Sequence, residues 1–153
     1  MGSYITTYTH RHFDPADPDP ELILIEDIAH ALSMLCRGNG HVSSFWSVGE
    51  HCICCAKEAA GRGLSKKVIL ACLLHDASEC YMSDVPRPLK QNMKDYKQQE
   101  SSLLDVIYRK FLGEALTEEE EKQIKAIDDD LLWYDLEMLL GEKQDREKPE
   151  LHI

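Results

Sequence analysis

The stretch SKKVILACLLHDASE, residues 65–79, combines a run of apolar residues typical of a helix with polar side chains on its buried face. Ser65 is a favourable N-cap for this helix. Helical spacing places His75 and Glu79 on the same face as the apolar Val68, because side chains three and four residues apart are neighbours on a helix. An imidazole and a carboxylate are therefore predicted to lie among core residues.

Two other helical segments show the same anomaly. His51 takes an inward position one turn after Val48. Asp128 lies on an inward stripe that also contains Ile124, Leu131, Asp135 and Met138. Burying an isolated imidazole or carboxylate costs several kcal/mol unless it is hydrogen-bonded, paired or ligated. Polar groups on three separate apolar faces therefore favour a common partner, and a divalent metal ion would supply one.

The donor types restrict the metal. Two imidazoles and two carboxylates, with Asp76 next to His75, form a mixed nitrogen and oxygen set. Such a set suits one Mn, Co, Zn, Ni, Fe or Mg ion with a position open to water, and the absence of a thiolate argues against a purely structural zinc. Each residue alone has a simpler interpretation: an inward His can be a hydrogen-bonded core residue, and residues 128–130 could be a solvated acidic turn. Their coincidence on three stripes favours the metal.

Length and charge set limits on the class of protein. The chain has 153 residues, 43% of them hydrophobic, which is enough for one domain with a continuous core. Its net charge of −11 disfavours binding to long nucleic acid or to an anionic membrane, but a small phosphorylated substrate remains compatible. No apolar stretch approaches the roughly 18 residues of a membrane span. The six cysteines are expected to be reduced thiols, and the chain shows no secretory signal, so we expect a cytoplasmic protein.

Helical periodicity recurs along the chain, whereas alternating strand patterns never persist, so the predicted fold is all-α with about five main helices. Residues 1–24 are a Pro/Asp-rich extended lead-in, residues 25–140 the helical domain, and residues 141–153 a charged tail. The five predicted helices run from about Ile25 to Leu35, from Ser47 to Gly61 or Gly63, from Ser65 to a point before Pro86, from Tyr96 to Phe111, and from Thr117 to Leu140.

Several blocks beyond the polar residues carry a family resemblance. They are DIAHALS at residues 27–33, WSVGEH at 46–51, LLHDASE at 73–79 and DVPRPLK at 84–90. Together with the H…HD…D pattern, the chain resembles the HD-domain metal-dependent phosphohydrolases, and within them the branch of the bacterial 5'-deoxynucleotidases and their phage-associated relatives. The resemblance covers about residues 4–140 and implies a single-domain, HD-type helical bundle.

The resemblance also implies roles for individual residues. Glu79 would handle the proton of the attacking water, Asp84 would assist the leaving group, and Arg37 would bind phosphate. Asp129 is the alternative to its neighbour for the last metal ligand. The implied metal ligands are His51, His75, Asp76 and Asp128.

Two further residues are candidates for substrate contact. Trp46 could stack on a base, or act as a hydrophobic staple at the start of the second helix. His41 could contact substrate, or hydrogen-bond the backbone of its loop. Because no other ligand is evident nearby, a mononuclear site is favoured over a binuclear one. Cys52 and Cys55 form a CxxC pair that is best explained by core packing.

The predicted activity is hydrolysis of a small nucleotide phosphomonoester, a deoxynucleoside 5'-monophosphate in the first place. The same metal site acting on a cyclic nucleotide, an alarmone or a nucleoside triphosphate is the first alternative. A non-catalytic binding module stabilised by its metal is the second. The resemblance also suggests a homodimer.

Overall fold

The structure, a computed structural model, describes residues 3–153, so the first two residues of the predicted lead-in lie outside it. The fold is all-α, as predicted, and five helices of nine or more residues dominate the described chain. The elements are β1 (Ile5–Thr6), β2 (His12–Phe13), α1 (Ile25–Met34), α2 (Val48–Gly61), α3 (Lys66–Leu74), α4 (Glu79–Met82), α5 (Arg87–Lys90), α6 (Lys94–Leu112) and α7 (Glu118–Tyr134).

The starts of the helices follow from side chains that cap them. The Ser47 hydroxyl accepts a hydrogen bond from the Glu50 amide, the Glu50 carboxylate accepts one from the Ser47 amide, and this capping box opens α2. Thr117 and Glu120 form the same arrangement at the start of α7. Ser65 caps α3. The sequence predicted all three of these helix starts.

The core lies where α2 packs against α1, α3 and α7, so α2 is the central helix of the bundle. Helix α6 closes α3 from the other side. The largest fully buried apolar side chains of this core are Phe13, Ile23, Val48, Val68, Leu74, Leu103, Ile107 and Ile127.

The third helix is shorter than predicted. It ends at Leu74, and residues 75–78 form a turn before α4 begins at Glu79. The backbone tightens there because the Ala77 amide donates to the Leu74 carbonyl, an i to i+3 bond of 2.9 Å. The uninterrupted helix that the apolar spacing predicted is therefore wrong beyond residue 74.

The last helix also changes its winding near its end. After Tyr134 the chain continues as a π-helical turn over Asp135–Leu139, in which the Leu140 amide donates to the Asp135 carbonyl at 3.2 Å. The predicted end at Leu140 is correct in position, but the last turn is π-helical. Such turns occur often at functional sites.

The lead-in is docked on the domain. Its two strands, β1 and β2, pair antiparallel in a short hairpin, and this structure was absent from the prediction. Asp27 of α1 is buried and accepts hydrogen bonds from the Thr9 amide at 2.8 Å and the Thr9 hydroxyl at 2.9 Å. Phe13 is fully buried against Tyr81.

The predicted charged tail is also docked. Glu58 of α2 is fully buried and accepts hydrogen bonds from the Arg62 guanidinium at 2.8 Å, the His152 amide at 2.7 Å and the His152 ring at 2.9 Å. Gly61 leaves room for this contact, because a Cβ there would come within 2.4 Å of the His152 carbonyl oxygen. The end of the tail thus packs against α2, whereas the sequence predicted a solvated segment.

No helix in the described part of the chain is long and apolar enough to cross a membrane. All six cysteines are free thiols.

Replacing Glu58 with Ala should lower the free energy of unfolding by about 3 kcal/mol, because the fully buried carboxylate and its charge-assisted hydrogen bonds from Arg62 and His152 are lost. Chemical denaturation measures this loss, and trypsin should cleave the tail after Arg146 faster than in the wild type. Glu119→Ala, at an exposed position of α7, is the matched control and should unfold like the wild type. Equal unfolding free energies for both variants would contradict the role assigned to Glu58.

Candidate metal centre and substrate cleft

The buried centre of the bundle contains two imidazoles and a carboxylate from three helical segments. His51 of α2 is 1% exposed, and its Nε2 lies 2.8 Å from Oδ1 of Asp128 on α7. His75, directly after α3, places its Nε2 3.4 Å from the same oxygen. The structure therefore brings together three of the predicted ligands, which are far apart in sequence.

Asp76 completes the group. Its Oδ2 lies 3.3 Å from Nε2 of His75 and 3.7 Å from Nε2 of His51. The turn at residues 75–78 makes this arrangement available, because in a continuous helix adjacent residues point in directions about 100° apart. The carboxylate of Asp76 thus lies within 4 Å of both imidazoles.

The tautomer of His75 fits metal binding. Its Nδ1 donates to the Cys72 carbonyl oxygen at 2.6 Å, which leaves the lone pair of Nε2 free to act as a ligand. That Nε2 atom is buried and has no hydrogen-bond partner. Although burial lowers the pKa of His75, the carboxylates of Asp76 and Asp128 raise it well above its usual value. A centre with this excess of negative charge favours a cation, and the donors present fit a divalent metal ion.

The structure distinguishes Asp128 from its neighbours Asp129 and Asp130 by the groups that each carboxylate contacts. Burial opposes ionisation of Asp128, yet the two imidazoles hold its pKa well below the usual range, so it is a carboxylate facing the centre. Asp129 instead pairs with Lys125 at 2.9 Å, and Asp130 pairs with Arg62 at 2.8 Å and with Arg146. The two neighbours are therefore engaged away from the imidazoles.

A thiol lies closer to the centre than core packing alone suggests. Cys55 Sγ is 3.6 Å from His51 Nε2, and donor atoms of His51, Cys55, His75 and Asp128 all lie within 4.8 Å of one another. Burial, followed by the charges of Asp128 and Asp76, raises the pKa of the Cys55 thiol, which keeps it protonated. We therefore assign the ligand set to the nitrogen and oxygen donors, with the thiol as a buried neighbour.

An open cleft of about 730 Å³ leads to this centre. Asp76 and Asp128 lie at its base, and Val85, Leu132 and Leu136 form an apolar wall. The other predicted site residues that line the cleft are Arg37, His41, Glu79 and Asp84.

Glu79 is the most perturbed acid of the cleft. It is buried, and its Oε1 has no hydrogen-bond partner. Burial raises the pKa of this carboxyl, and the neighbouring carboxylates of Asp76 and Asp84 raise it further. A cation held by Asp76 would oppose this shift, so the protonation state of Glu79 is sensitive to the charge at the centre.

Arg37 reaches the cleft from the loop before α2. Its amide donates to the Trp46 carbonyl at 2.7 Å, which fixes the loop ends side by side. Its Nη1 lies 3.9 Å from Asp76 Oδ2. Its Nη2 and Nε donate to one oxygen of Asp135, at 2.8 and 3.2 Å. The sequence predicts Asp135 on the inward stripe of the last helix but indicates no role for it. Its spacing of seven residues from Asp128 was the signal that could have placed it near the centre.

The two candidate substrate contacts differ. His41 lines the cleft, and its amide donates to the Gly38 carbonyl at 3.0 Å, so its loop contact and its place in the cleft coexist. Trp46 does not reach the cleft. It lines a separate, largely apolar pocket with Tyr134 and Met138. A stacking role for Trp46 in this cleft is therefore not supported.

With this geometry in place, comparison with known proteins identifies the class. Residues 41–148 match the family model described as HD domain (HD_3). This match covers more than half of the chain, so the chain belongs to the HD-domain family, and the family supports metal-dependent phosphohydrolase chemistry.

Two relatives are similar to the chain. An Escherichia coli K12 protein, named uncharacterized protein YfdR, is 37% identical over 109 residues, which are 71% of this chain and 58% of YfdR. An uncharacterized protein of Rhodobacter capsulatus is 35% identical over 124 residues, 77% of this chain and 63% of that protein. The matched region thus spans less than two thirds of either relative.

Asp128→Ala should weaken divalent-metal binding by about 100-fold or more, because it removes a ligand that also orients both imidazoles. Asp129→Ala is the matched control and should bind metal like the wild type. Metal content after dialysis, measured by mass spectrometry, distinguishes the two. Loss of metal in the Asp129 variant alone would assign the ligand to Asp129.

Loading the protein with Co²⁺ tests the assigned ligand types. We expect the weak visible bands of nitrogen and oxygen ligation without the intense near-ultraviolet absorption of a thiolate bound to cobalt, because the predicted ligands are two imidazoles and two carboxylates. Cys55→Ala should leave the spectrum unchanged. A strong near-ultraviolet band that disappears in this variant would make Cys55 a ligand.

Proposed function

We propose that the protein is a metal-dependent phosphohydrolase that removes the phosphate of a deoxynucleoside 5'-monophosphate. The observation that carries this proposal is the convergence in one cleft of the metal-ligand cluster, the Arg37 guanidinium and two further acids, Glu79 and Asp84. A site that served stability alone would need neither the two acids nor an open cleft.

The residues divide the work of the reaction between them. The chemistry that a divalent ion supplies in such a site is the acidification of water and the polarisation of a phosphoryl oxygen. Arg37 offers planar donors to the phosphate oxygens and adds positive charge where the substrate is negative. Its Nη1 lies 3.9 Å from Asp76, so phosphate held by Arg37 would lie beside the metal ligands.

Two acids are available for proton transfer. Without a cation at the centre, the raised pKa keeps Glu79 protonated, and a cation held by Asp76 would favour the carboxylate form that a general base for the attacking water requires. Asp84 lines the same cleft and neighbours Glu79, from where it can protonate the departing sugar oxygen. Burial of Glu79 keeps bulk water away from the proton it receives.

The shape of the cleft supports a nucleotide. Its volume of about 730 Å³ lies within the usual 300–1,000 Å³ of small-molecule sites and exceeds what a bare phosphate needs. The apolar wall formed by Val85, Leu132, Leu136 and Leu140 offers a surface for a sugar and a base. The resemblance of the sequence blocks to the 5'-deoxynucleotidases favours the deoxy sugar.

A nucleoside triphosphate is the second candidate substrate. Arg87 and Lys90 also line the cleft, and Arg87 is 59% exposed. They could bind the outer phosphates of a longer chain. Each cation already has an acidic partner, Asp129 for Arg87 and Glu100 for Lys90, so this observation favours the triphosphate less than it would if both were free to bind anions.

The test is a screen of phosphate release from deoxynucleoside and ribonucleoside mono- and triphosphates, cyclic nucleotides and alarmones, with Mn²⁺, Co²⁺, Mg²⁺ or Zn²⁺. Deoxynucleoside 5'-monophosphates should be hydrolysed fastest. Glu79→Gln should lower kcat by about 10²- to 10⁴-fold, the usual effect of losing a general base, and should retain its metal.

Glu121→Gln, an exposed acid on α7, is the matched control and should keep full activity. Turnover of triphosphates alone would favour the second candidate. A protein that binds metal yet hydrolyses none of these substrates, with Glu79→Gln indistinguishable from the wild type, would be a metal-stabilised binding module.

A further inference from the structure

Asp135 is a charged residue near the metal centre to which the proposed reaction gives no role. It lies at the first position of the π-helical turn that follows α7, and its side chain is only 15% exposed. One oxygen, Oδ2, accepts hydrogen bonds from Nη2 of Arg37 at 2.8 Å and from Nε at 3.2 Å. The same oxygen lies 4.0 Å from Nδ1 of His51.

The two hydrogen bonds determine how the guanidinium is oriented. Nε and Nη2 lie on one edge of the planar group, and both are bound to Asp135. The remaining nitrogen, Nη1, faces Asp76 Oδ2 at 3.9 Å. The donors of Nη1 are therefore presented at the cleft, next to a predicted metal ligand.

Asp135 also balances a competing attraction. Arg37 is close to the carboxylates of Asp76 and Asp128, and a free guanidinium would be drawn into direct pairs with them. Such a pair would occupy oxygen atoms needed for a cation and hydrogen-bond donors needed for phosphate. A third carboxylate on the far side of Arg37 holds the group back from these oxygens.

The geometry of the last helix determines where Asp135 lies. Asp135 follows Asp128 by seven residues, about two helical turns, so the two carboxylates face the same side of the last helix. The turn that Asp135 begins is tied to the loop after Arg37, because the Ser43 amide donates to the Leu139 carbonyl at 2.8 Å. Arginine and aspartate are thus held by segments that are themselves joined.

We propose that Asp135 is a positioning residue: it holds Arg37 by Nε and Nη2, so that Nη1 is aimed at phosphate in the cleft and does not pair with the metal ligands. This inference rests on the proposed function. It assigns to Asp135 no contact with substrate and no part in proton transfer.

The test measures the binding of inorganic phosphate to the metal-loaded protein by calorimetry, which needs no turnover. Asp135→Ala should weaken phosphate binding by about tenfold, since Arg37 must then be ordered when phosphate binds. Asp135→Asn, which keeps an oxygen acceptor and the side-chain shape, should weaken it less. With substrate, both variants should raise KM more than they lower kcat.

A double-mutant cycle separates positioning from a structural role. In an Arg37→Ala background, Asp135→Ala should cause no further loss of phosphate affinity, because the residue acts only through Arg37. An equal loss in both backgrounds would overturn the proposal, as would unchanged phosphate affinity in Asp135→Ala with Arg37 present. Asp135→Asn serves the same comparison if the alanine variant unfolds.

Different results would contradict the proposed function and the role of Asp135. If metal-loaded wild type binds no phosphate, the proposed function and the role of Asp135 both fail. If the wild type binds phosphate and hydrolyses nucleotides while the Asp135 variants bind phosphate equally well, only the role of Asp135 fails.

Discussion

The contact between His51 on α2 and Asp128 on α7, at 2.8 Å, is the interaction on which the centre depends. Both groups lie in the interior, where an unpaired imidazole or carboxylate would be strongly destabilising. Their pairing fixes the register of the two helices at one level of the bundle. His75 and Asp76 then come to the same point from the end of α3, and the three helices share one polar centre inside an apolar core.

This centre brings like charges together, and the surrounding structure limits the resulting repulsion. Asp76, Asp128 and Asp135 lie around Arg37, whose single positive charge cannot neutralise three carboxylates. The imidazoles, as ligands or as proton carriers, and a bound divalent cation account for the remainder. Glu79 responds to the same imbalance through its raised pKa. The electrostatics of metal binding and of proton transfer are therefore coupled in one small volume.

Local signals in the sequence predicted the local structure well. The capping residues Ser47, Ser65 and Thr117 gave three helix starts correctly, because an N-cap acts only on its own turn. The inward stripes identified His51 and Asp128 as polar residues on apolar faces, because helical spacing is also local to one helix. The turn at residues 75–78 was missed because an apolar run such as that before His75 predicts helix and carries no signal for where the winding tightens.

Contacts between distant segments were not predictable in the same way. In the sequence, Glu58 resembles an ordinary exposed acid of a helix. Only the folded structure shows that His152, 94 residues away, donates a hydrogen bond to it. Trp46 precedes α2 as the sequence indicates, but its place in a pocket with Leu131 and Tyr134 depends on how α7 packs there. Asp135 lies on a predicted inward stripe, and its pairing with Arg37, 98 residues away, required the tertiary structure.

The net charge of −11 takes on a different meaning once the buried carboxylates are distinguished from those on the surface. The run of acids at the start of α7 is solvated or paired with surface lysines and leaves the potential around the protein negative. At the cleft, the acids nearest the centre are directed at a cation, while Arg37 presents donors outward. A small dianionic phosphate would contact only Arg37 and a cation held at the centre, whereas a long polyanion would also meet the negative surface around the cleft. The net charge that disfavours long nucleic acid is thus compatible with a nucleotide, because the two ligands differ in how much of the protein surface they must contact.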